Sequence, residues 1–423
     1  MFKTEKDVTN WIYSFTTHKT DRNLDHLHEY LATLDNPHLK LKTVHIAGTN
    51  GKGSTVAYIR QAFMEAGYKV ATFTSPFITC FGERMSINNI PMPEDKLIHY
   101  AAKLKNSLPS ETPAYTSFDI VTLISFMYFL DEAVDIAIYE TGIGGRLDST
   151  NVIQPLATAI TNVGHDHADV LGETQLERAI EKLGIVKKDI PLFTAEEDPI
   201  LILEFSKVCH QKGAEIFHAL KDARMITMDR TGITFDWGHY QNIQIEMYGE
   251  HQFKNASLAV VVLEYLRIST FESLDPTAII KARWQGRFEH VRRGNRPVIL
   301  DGAHNIEGIS ALIKTVNHLY PDYQSRHYIF SAIDTKDVKE MLEMLEKDSY
   351  LITLTANTHP KSIDPEMLSE CLVDEFFNTD YKEAIKDELD KMSSNEVLVI
   401  CGSLYFVSDA RRYLLEEDGR FLI

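Results

Sequence analysis

Cysteine is scarce in this chain. Cys80, Cys209, Cys371 and Cys401 stand far apart among 423 residues, and no C-x-x-C pair occurs. That spacing excludes a cysteine-based zinc site and a disulfide framework, and it points to a reducing compartment. Long apolar runs are missing too: no uninterrupted stretch reaches the length of a membrane span. The opening Met-Phe-Lys-Thr-Glu-Lys-Asp lacks the apolar core of a signal peptide. A soluble, cytoplasmic protein is expected. Positive charge is in deficit, with 43 Lys and Arg against 61 Asp and Glu, a net charge of −18. Nucleic acid and anionic membrane surfaces are excluded as partners, because both need clustered cationic side chains. An anionic small substrate stays compatible, since a site can be locally basic inside an acidic protein. Internal repeats and low-complexity tracts are also absent.

What is present begins with Val44-His45-Ile46-Ala47-Gly48-Thr49-Asn50-Gly51-Lys52-Gly53-Ser54-Thr55. An apolar strand pattern feeds a glycine-rich turn, then a lysine and two hydroxyls, then a helical pattern. Glycines let backbone N–H groups curl around phosphate oxygens, and a helix presents its positive end there. Lys52 can neutralise phosphate, and Ser54 or Thr55 can reach magnesium. The spacing departs from G-x-x-x-x-G-K-[ST], because Gly53 separates Lys52 from Ser54. A glycine turn with an incidental lysine is the alternative, but strand, turn and helix fall in the order a polyphosphate site needs.

Hydrophobic content of 44% gives the chain a sizeable core, and its length predicts two or three domains. Leu24, Leu27, Leu31 and Leu34 predict a short amphipathic helix over 23–34. Strands are expected at 43–47, 69–73, 134–139 and 156–161, with a buried helix at 117–130. Alternation of apolar and polar residues over 223–247 predicts antiparallel hairpins in a side sheet, followed by a helix near 253–267. The polar segment 291–297, with Gly and Pro, is read as a break, giving domains 1–293 and 294–423. After it, strands are expected near 297–301, 327–331, 349–354 and 396–401. The fold class is α/β: a mostly parallel ATP-binding sheet with a side antiparallel sheet, plus a smaller C-terminal α/β domain.

Polar groups stand at the predicted strand ends. Glu140 precedes Thr141-Gly142-Ile143-Gly144-Gly145-Arg146-Leu147-Asp148, and Thr161-Asn162-Val163-Gly164-His165-Asp166-His167 follows the strand at 156–161. Ligands of open parallel sheets bind at the carboxyl ends of strands. Glu140 is a candidate magnesium ligand, against the plainer reading of a solvated Glu in a glycine turn. Zinc is disfavoured, because no His or Cys cluster has ligand spacing. From spacing alone Lys182 is a surface helix lysine. Leu300-Asp301-Gly302-Ala303-His304-Asn305 repeats the pattern of Asp and His at a strand end. Arg287, in Trp284-Gln285-Gly286-Arg287-Phe288-Glu289, suits phosphate or carboxylate.

Taken in order, these runs resemble the folylpolyglutamate synthase/dihydrofolate synthase family, a branch of the Mur ligases. The matching segments also include Thr74-Ser75-Pro76 with Glu83-Arg84, Thr150-Asn151, Glu181-Lys182 with Gly184-Ile185, His251-Gln252 with Asn255-Ala256, and Gly402-Ser403-Leu404-Tyr405. The resemblance implies an ATP-dependent amide ligase that adds L-glutamate to folates, and also to dihydropteroate, through an acyl phosphate. By position, it implies that Asn50, Gly51, Lys52, Gly53 and Ser54 cradle ATP phosphates, while Asn255, Arg287 and Asp301 contact ATP across a domain cleft. Ser75, Glu140 and His167 would hold Mg2+. Lys182 would be carbamylated, and His304 would lie near the phosphates; Lys182, His304 and Lys52 form the implied catalytic set. Thr116, Ser117, Phe118 and Asp119, with Leu147, Asp148 and Ser149, would line the folate pocket. Phe77, Leu183, His165 and Gln285 depart from the common pattern at those points. The expected substrates are small molecules, folate or dihydropteroate and L-glutamate, acted on by a monomer. Two other readings compete: a cell-wall Mur ligase, whose usual UDP-binding domain does not fit in the 47 residues before Gly48, and a nucleotide-gated binding protein without turnover.

Overall fold

Val44, Ile46 and Ala47 are fully buried in strand β1 (Thr43–Ala47), and its polar members Thr43 and His45 are buried with them. A strand buried on both faces belongs in the middle of a parallel sheet covered by helices. In the computed structural model, which describes residues 2–15, 23–109, 115–293, 296–323, 325–333, 337–349, 351–369 and 376–417, β1 is the central strand of seven. The others are β2 (Val70–Phe73), β3 (Met85–Ile87), β4 (Ile136–Glu140), β5 (Ala157–Ile160), β6 (Leu192–Thr194) and β7 (Ile216–His218), in the order β3-β2-β4-β1-β5-β6-β7. All neighbours run parallel except β2 and β3. Ile46 lies opposite Glu140, and Ala47 opposite Ile160. The carboxyl ends of β4, β1 and β5 therefore stand in a row.

Three further strands, β8 (Ala223–Asp229), β9 (Gly232–Trp237) and β10 (Tyr240–Ile245), form a separate sheet where hairpins are expected. The last sheet holds β11 (Glu289–Arg293), β12 (Arg296–Leu300), β13 (Ser325–Phe330), β14 (Leu351–Thr355), β15 (Phe377–Asn378) and β16 (Glu396–Cys401), ordered β11-β12-β16-β13-β14-β15. Only β11 and β12 pair antiparallel in it. The mostly parallel α/β class with a side antiparallel sheet is as expected.

The chain divides into two compact units. One comprises Met1–Arg224, Phe235–Gln244 and Lys254–Ala282; the other comprises Met225–Thr234, Ile245–Phe253 and Arg283–Ile423. The segment 291–297 is thus not a break between domains. Residues 291–293 already belong to β11, which pairs along its length with β12, so both sides of the expected break lie in one sheet. Of that segment, 294–295 lie outside the described residues, as does Cys371. Cys80, Cys209 and Cys401 are free thiols.

The helices are α1 (Glu5–Tyr13), α2 (Asp25–Thr33), α3 (Lys52–Glu65), α4 (Glu94–Ser107), α5 (Ser117–Asp131), α6 (Ala168–Leu171), α7 (Gln175–Leu183), α8 (Pro199–Lys212), α9 (Glu250–Ser269), α10 (Ile306–Leu319), α11 (Val338–Asp348), α12 (Pro365–Ser369), α13 (Tyr381–Lys391) and α14 (Leu404–Arg412). Helix α5 is apolar nearly all round, and such a helix is buried; it packs in a core with Phe73, Phe81, Leu97, Tyr100 and Tyr139. Capping boxes start α1 at Thr4, α5 at Thr116 and α7 at Thr174, in each case with an acidic residue three positions on. Among the described residues, no helix is long and apolar enough to cross a membrane.

Where α7 ends, the chain meets the loop after β4. The Arg146 amide donates to the Glu181 carbonyl at 2.7 Å, and the Asn151 side-chain amide donates to the Arg146 and Gly184 carbonyls. A methyl group on Gly184 would sit 2.2 Å from Arg146 Cα. Backbone cannot yield as a flexible side chain can. Gly184→Ala is expected to lower unfolding stability by about 1–3 kcal/mol, measured by denaturant titration; an unchanged midpoint would reject the close packing as a constraint.

Candidate active site

The turn after β1 is shaped by two glycines with positive φ, Gly48 at 152° and Gly51 at 86°. Gly51 is the N-cap of α3 and brings no side chain to its first amides, which a helix leaves without internal partners. These N–H groups are the donors a polyphosphate takes. Lys52 Nζ folds over the turn, donating to the Gly48 and Thr49 carbonyls at 2.9 and 3.1 Å. Two close approaches explain the glycines. A Cβ on Gly48 would meet Thr161 Oγ1, and one on Gly51 would lie 2.2 Å from Asn255 Oδ1. The structure thus brings Asn255, at the start of α9, onto the turn that also holds Asn50, Gly53 and Ser54.

The turn is stitched to the loop after β5. The Thr49 amide donates to the Asn162 carbonyl, the Asn50 amide to Asn162 Oδ1, and Thr161 Oγ1 to the Asn50 carbonyl at 2.6 Å. Asn162 and Thr161 were visible only as polar residues at a strand end; nothing in their spacing announces contacts to a loop over a hundred positions earlier. In β1, His45 Nε2 pairs with Thr150 Oγ1 at 2.8 Å.

Glu140 ends β4 as a buried carboxylate, and the Ser75 amide lies 3.4 Å from one of its oxygens. His167 adopts φ 51°, uncommon for a residue with a side chain, and faces Asp166 at 3.7 Å. Lys182 is not a surface lysine: α7 buries it to 2% exposure. Burial drives its pKa down to about 7; Lys52 and Arg178 push the same way, and Asp166 opposes them. A buried lysine with a depressed pKa spends part of its time as a neutral amine at neutral pH.

A second cluster surrounds the start of α5. Asp119 closes the capping box on Thr116, accepts from Ser149 Oγ at 2.6 Å, and faces His26 Nε2 at 3.3 Å. Burial opposes the Asp119 charge, but His26, Ser149 and Thr116 together hold its pKa below the usual value. His26, on α2, is absent from the expected set because only the tertiary fold brings it here. The Ser117 amide donates to the Phe15 carbonyl, and Phe118 packs on Phe73 and beneath Gly142. Leu147 is half-buried. Asp148 uses both carboxylate oxygens on its own loop. One of its oxygens accepts from the Gly142 and Ile143 amides, the other from the Thr150 amide and hydroxyl. It shapes the glycine loop from within.

In the second unit, buried Asp301 accepts from the Phe288 and Ala303 amides, both at 2.8 Å. Burial pushes its pKa up, against the pull of the Arg287 guanidinium. His304 Nδ1 lies 2.7 Å from the Gly302 carbonyl. Asp301 and His304 thus lie on the turn after β12, and the segment before β11 brings Arg287 beside it, with the Gly302 amide donating to the Gly286 carbonyl at 2.8 Å.

The Mur ligase middle domain pattern matches residues 46–263, and the Mur ligase glutamate ligase domain pattern matches residues 286–404. The chain is 36% identical to the dihydrofolate synthase/folylpolyglutamate synthase of Bacillus subtilis, over 98% of this chain and 100% of that protein. It is similar to the crystal structure of folylpolyglutamate synthase from Thermotoga maritima, with TM-score 0.85, 27% identity and 97% of each chain covered. It is also similar to the apo form of L. casei FPGS, with TM-score 0.85 and 26% identity, and to an FPGS-AMPPCP-folate complex, with TM-score 0.84 and 26% identity, each over 97% of this chain and 99% of that one.

Burial sets His45 apart, driving its pKa down to about 3, with Lys187 adding to the effect. The folded protein keeps it neutral while the unfolded chain protonates below its ordinary 6.5. Its contribution to stability is complete above pH 6.5 and is lost as pH falls toward 3, at ~1.4 kcal/mol per pH unit. His45→Gln should flatten the dependence of unfolding free energy on pH across that window. Parallel curves for the two proteins would show that His45 does not set it.

Proposed function

This chain belongs to the folylpolyglutamate synthase/dihydrofolate synthase family of Mur ligases, and from that membership we propose that it is an ATP-dependent ligase joining L-glutamate to folates. Dihydropteroate is a second acceptor in this reading, in keeping with the double name of the Bacillus subtilis relative. The observation that carries it is the row of strand ends: the phosphate turn after β1, Glu140 at the end of β4, and the Thr161–His167 loop after β5.

A carboxylate is a poor electrophile at neutral pH, so amide formation needs a leaving group. An oxygen of the folate carboxylate attacks the γ-phosphorus of ATP; ADP departs and an acyl phosphate remains. The amino nitrogen of glutamate then attacks the acyl carbon, phosphate leaves, and the nitrogen gives up its proton. The turn amides and Lys52 hold the phosphates, and Asn255 fixes the turn from above. In the second unit, Arg287, Asp301 and His304 are the proposed nucleotide contacts. The Asp119–Ser149–His26 cluster, with Thr116 and Phe118, is the proposed folate wall.

Ser75, Glu140 and His167 are the proposed magnesium ligands. Among the described residues, no group of three or more His, Cys, Asp or Glu forms a cage. The Glu140 carboxylate and the Ser75 hydroxyl are hard oxygen donors of the kind magnesium takes alongside waters and phosphates. When bound, magnesium supplies charge that offsets the phosphate oxygens. A monomer in the cytoplasm completes the reading, and three free thiols suit a reducing compartment.

Lys182 is proposed to carry a carbamate. Its neutral amine attacks carbon dioxide, a nitrogen–carbon bond forms, and one proton leaves. The buried setting supports this, because only the unprotonated amine reacts. Lys182→Ala is expected to lose about ten- to a hundredfold in turnover, with partial recovery when acetate or another short carboxylate is added. Full activity without addition rejects the carbamate.

The reading as a whole is tested by ATP-dependent phosphate release with magnesium and L-glutamate, adding tetrahydrofolate or dihydropteroate separately and following product mass. Glutamate-dependent turnover with a mass gain of one glutamyl residue is expected with each acceptor. Turnover with tetrahydrofolate alone removes dihydropteroate from the reading, and none with either rejects the ligase.

A further inference from the structure

Arg178, on α7, is a buried cation to which the reaction above assigns no part. It is buried to 4% exposure, one helical turn before Lys182 and on the same buried face. Its guanidinium spends its donors on backbone: Nε donates to the Gly164 carbonyl at 2.9 Å, and Nη1 to the Gly172 and Glu173 carbonyls at 3.1 and 2.9 Å. These carbonyls stand at the two ends of the segment that carries His165, Asp166 and His167. The planar fork of an arginine can span both ends at once, which a lysine cannot do. Burying a guanidinium against neutral carbonyls alone is costly. Simple loop closure by neutral groups would avoid that cost.

The peptide that Arg178 grips is also gripped from the other side. The Gly164 amide donates to Thr49 Oγ1 at 2.9 Å, and Thr49 belongs to the phosphate turn. Next to it, Val163 is fixed by Glu196 through its amide and by Gln175 through its carbonyl. An unbroken chain of contacts therefore runs from the phosphate turn, through Gly164, to Arg178 and the helix of Lys182.

We propose that Arg178 is a positioning residue for the ligase reaction: through the Gly164 peptide it locks the His167 loop to the phosphate turn and holds both in register with the helix that carries Lys182. This rests on the ligase reading for its consequence in turnover, but the link itself concerns only how nucleotide and magnesium are held. Its removal lets the His167 segment drift while leaving the folate cluster around Asp119 untouched.

The test uses the full chain with Arg178→Met, Arg178→Lys, Thr49→Val and Thr49→Ser. Affinity for AMPPCP is measured by calorimetry with and without magnesium, and amide hydrogen exchange is followed in ligand-free protein. Arg178→Met and Thr49→Val should weaken magnesium–AMPPCP binding about tenfold or more, the range for loss of an outer-shell partner, with little change in affinity without magnesium. Exchange should quicken at residues 162–173 and 48–51, and the KM for folate should hold. Thr49→Ser keeps the hydroxyl and should restore binding; Arg178→Lys reaches one end of the segment and should restore it only partly. If Arg178→Met does not fold, the Thr49 pair carries the test. Variants that lower the melting temperature but leave magnesium–AMPPCP affinity and exchange at 48–51 unchanged overturn the proposal. Absence of glutamate-dependent turnover in the unaltered protein would instead reject the ligase reading, with the binding and exchange results still standing.

Discussion

Ile46 lies opposite Glu140 and Ala47 opposite Ile160, and the first unit depends on that parallel register. A slip of one residue would turn alternate side chains to the other face of a sheet that is buried on both sides. It would also move Glu140 off the level of the phosphate turn. Because β1 is apolar and flanked on both sides, the hydrophobic core enforces the alignment. The polar groups at the strand ends inherit their positions from contacts that are not themselves polar.

Around that row, the protein places charged groups where water is scarce. Lys182, Arg178 and Asp119 are all nearly inaccessible, and each is matched by hydrogen bonds or by neighbouring charges. Low local dielectric makes such groups strong when partnered and expensive when not. Two neighbouring cations, Lys52 and Arg178, act together against the charge on Lys182. Asp119 shows the opposite balance, with donors that outweigh its burial. Burial and neighbouring groups together thus decide which of these buried side chains keeps its charge.

Much of this was legible in the sequence. The phosphate turn could be read because strand, glycines, lysine and helix are consecutive, so local chemistry and position coincide. Glu140 and Asp301 could be read as strand-end groups for the same reason. The short strands β3, β6 and β7, three residues each, carry too little periodicity to stand out. The segment 291–297 looked like a break because its polar residues and Gly and Pro suit linkers and hairpins alike; only pairing with β12 separates the two. His26, Asn162 and Arg178 were illegible because their meaning lies in partners far away in sequence. The clasp that Asp148 makes on its own loop was illegible too, because a carboxylate in a glycine loop looks the same in sequence whether it faces a ligand or binds its own backbone.

The fit of Asn255 over Gly51 ties two positions far apart in the chain into one unit of inheritance. Any side chain gained at 51 collides with the amide of 255 and meets a positive φ, so drift at the first site stays costly even where the second has shrunk. Shrinking the second first leaves the turn without its cover. Neither order of steps passes through a well-packed intermediate. The pair therefore behaves as a ratchet on descent: lineages that hold both residues keep both, and a homologue that has lost one is expected to have rebuilt the turn as a whole.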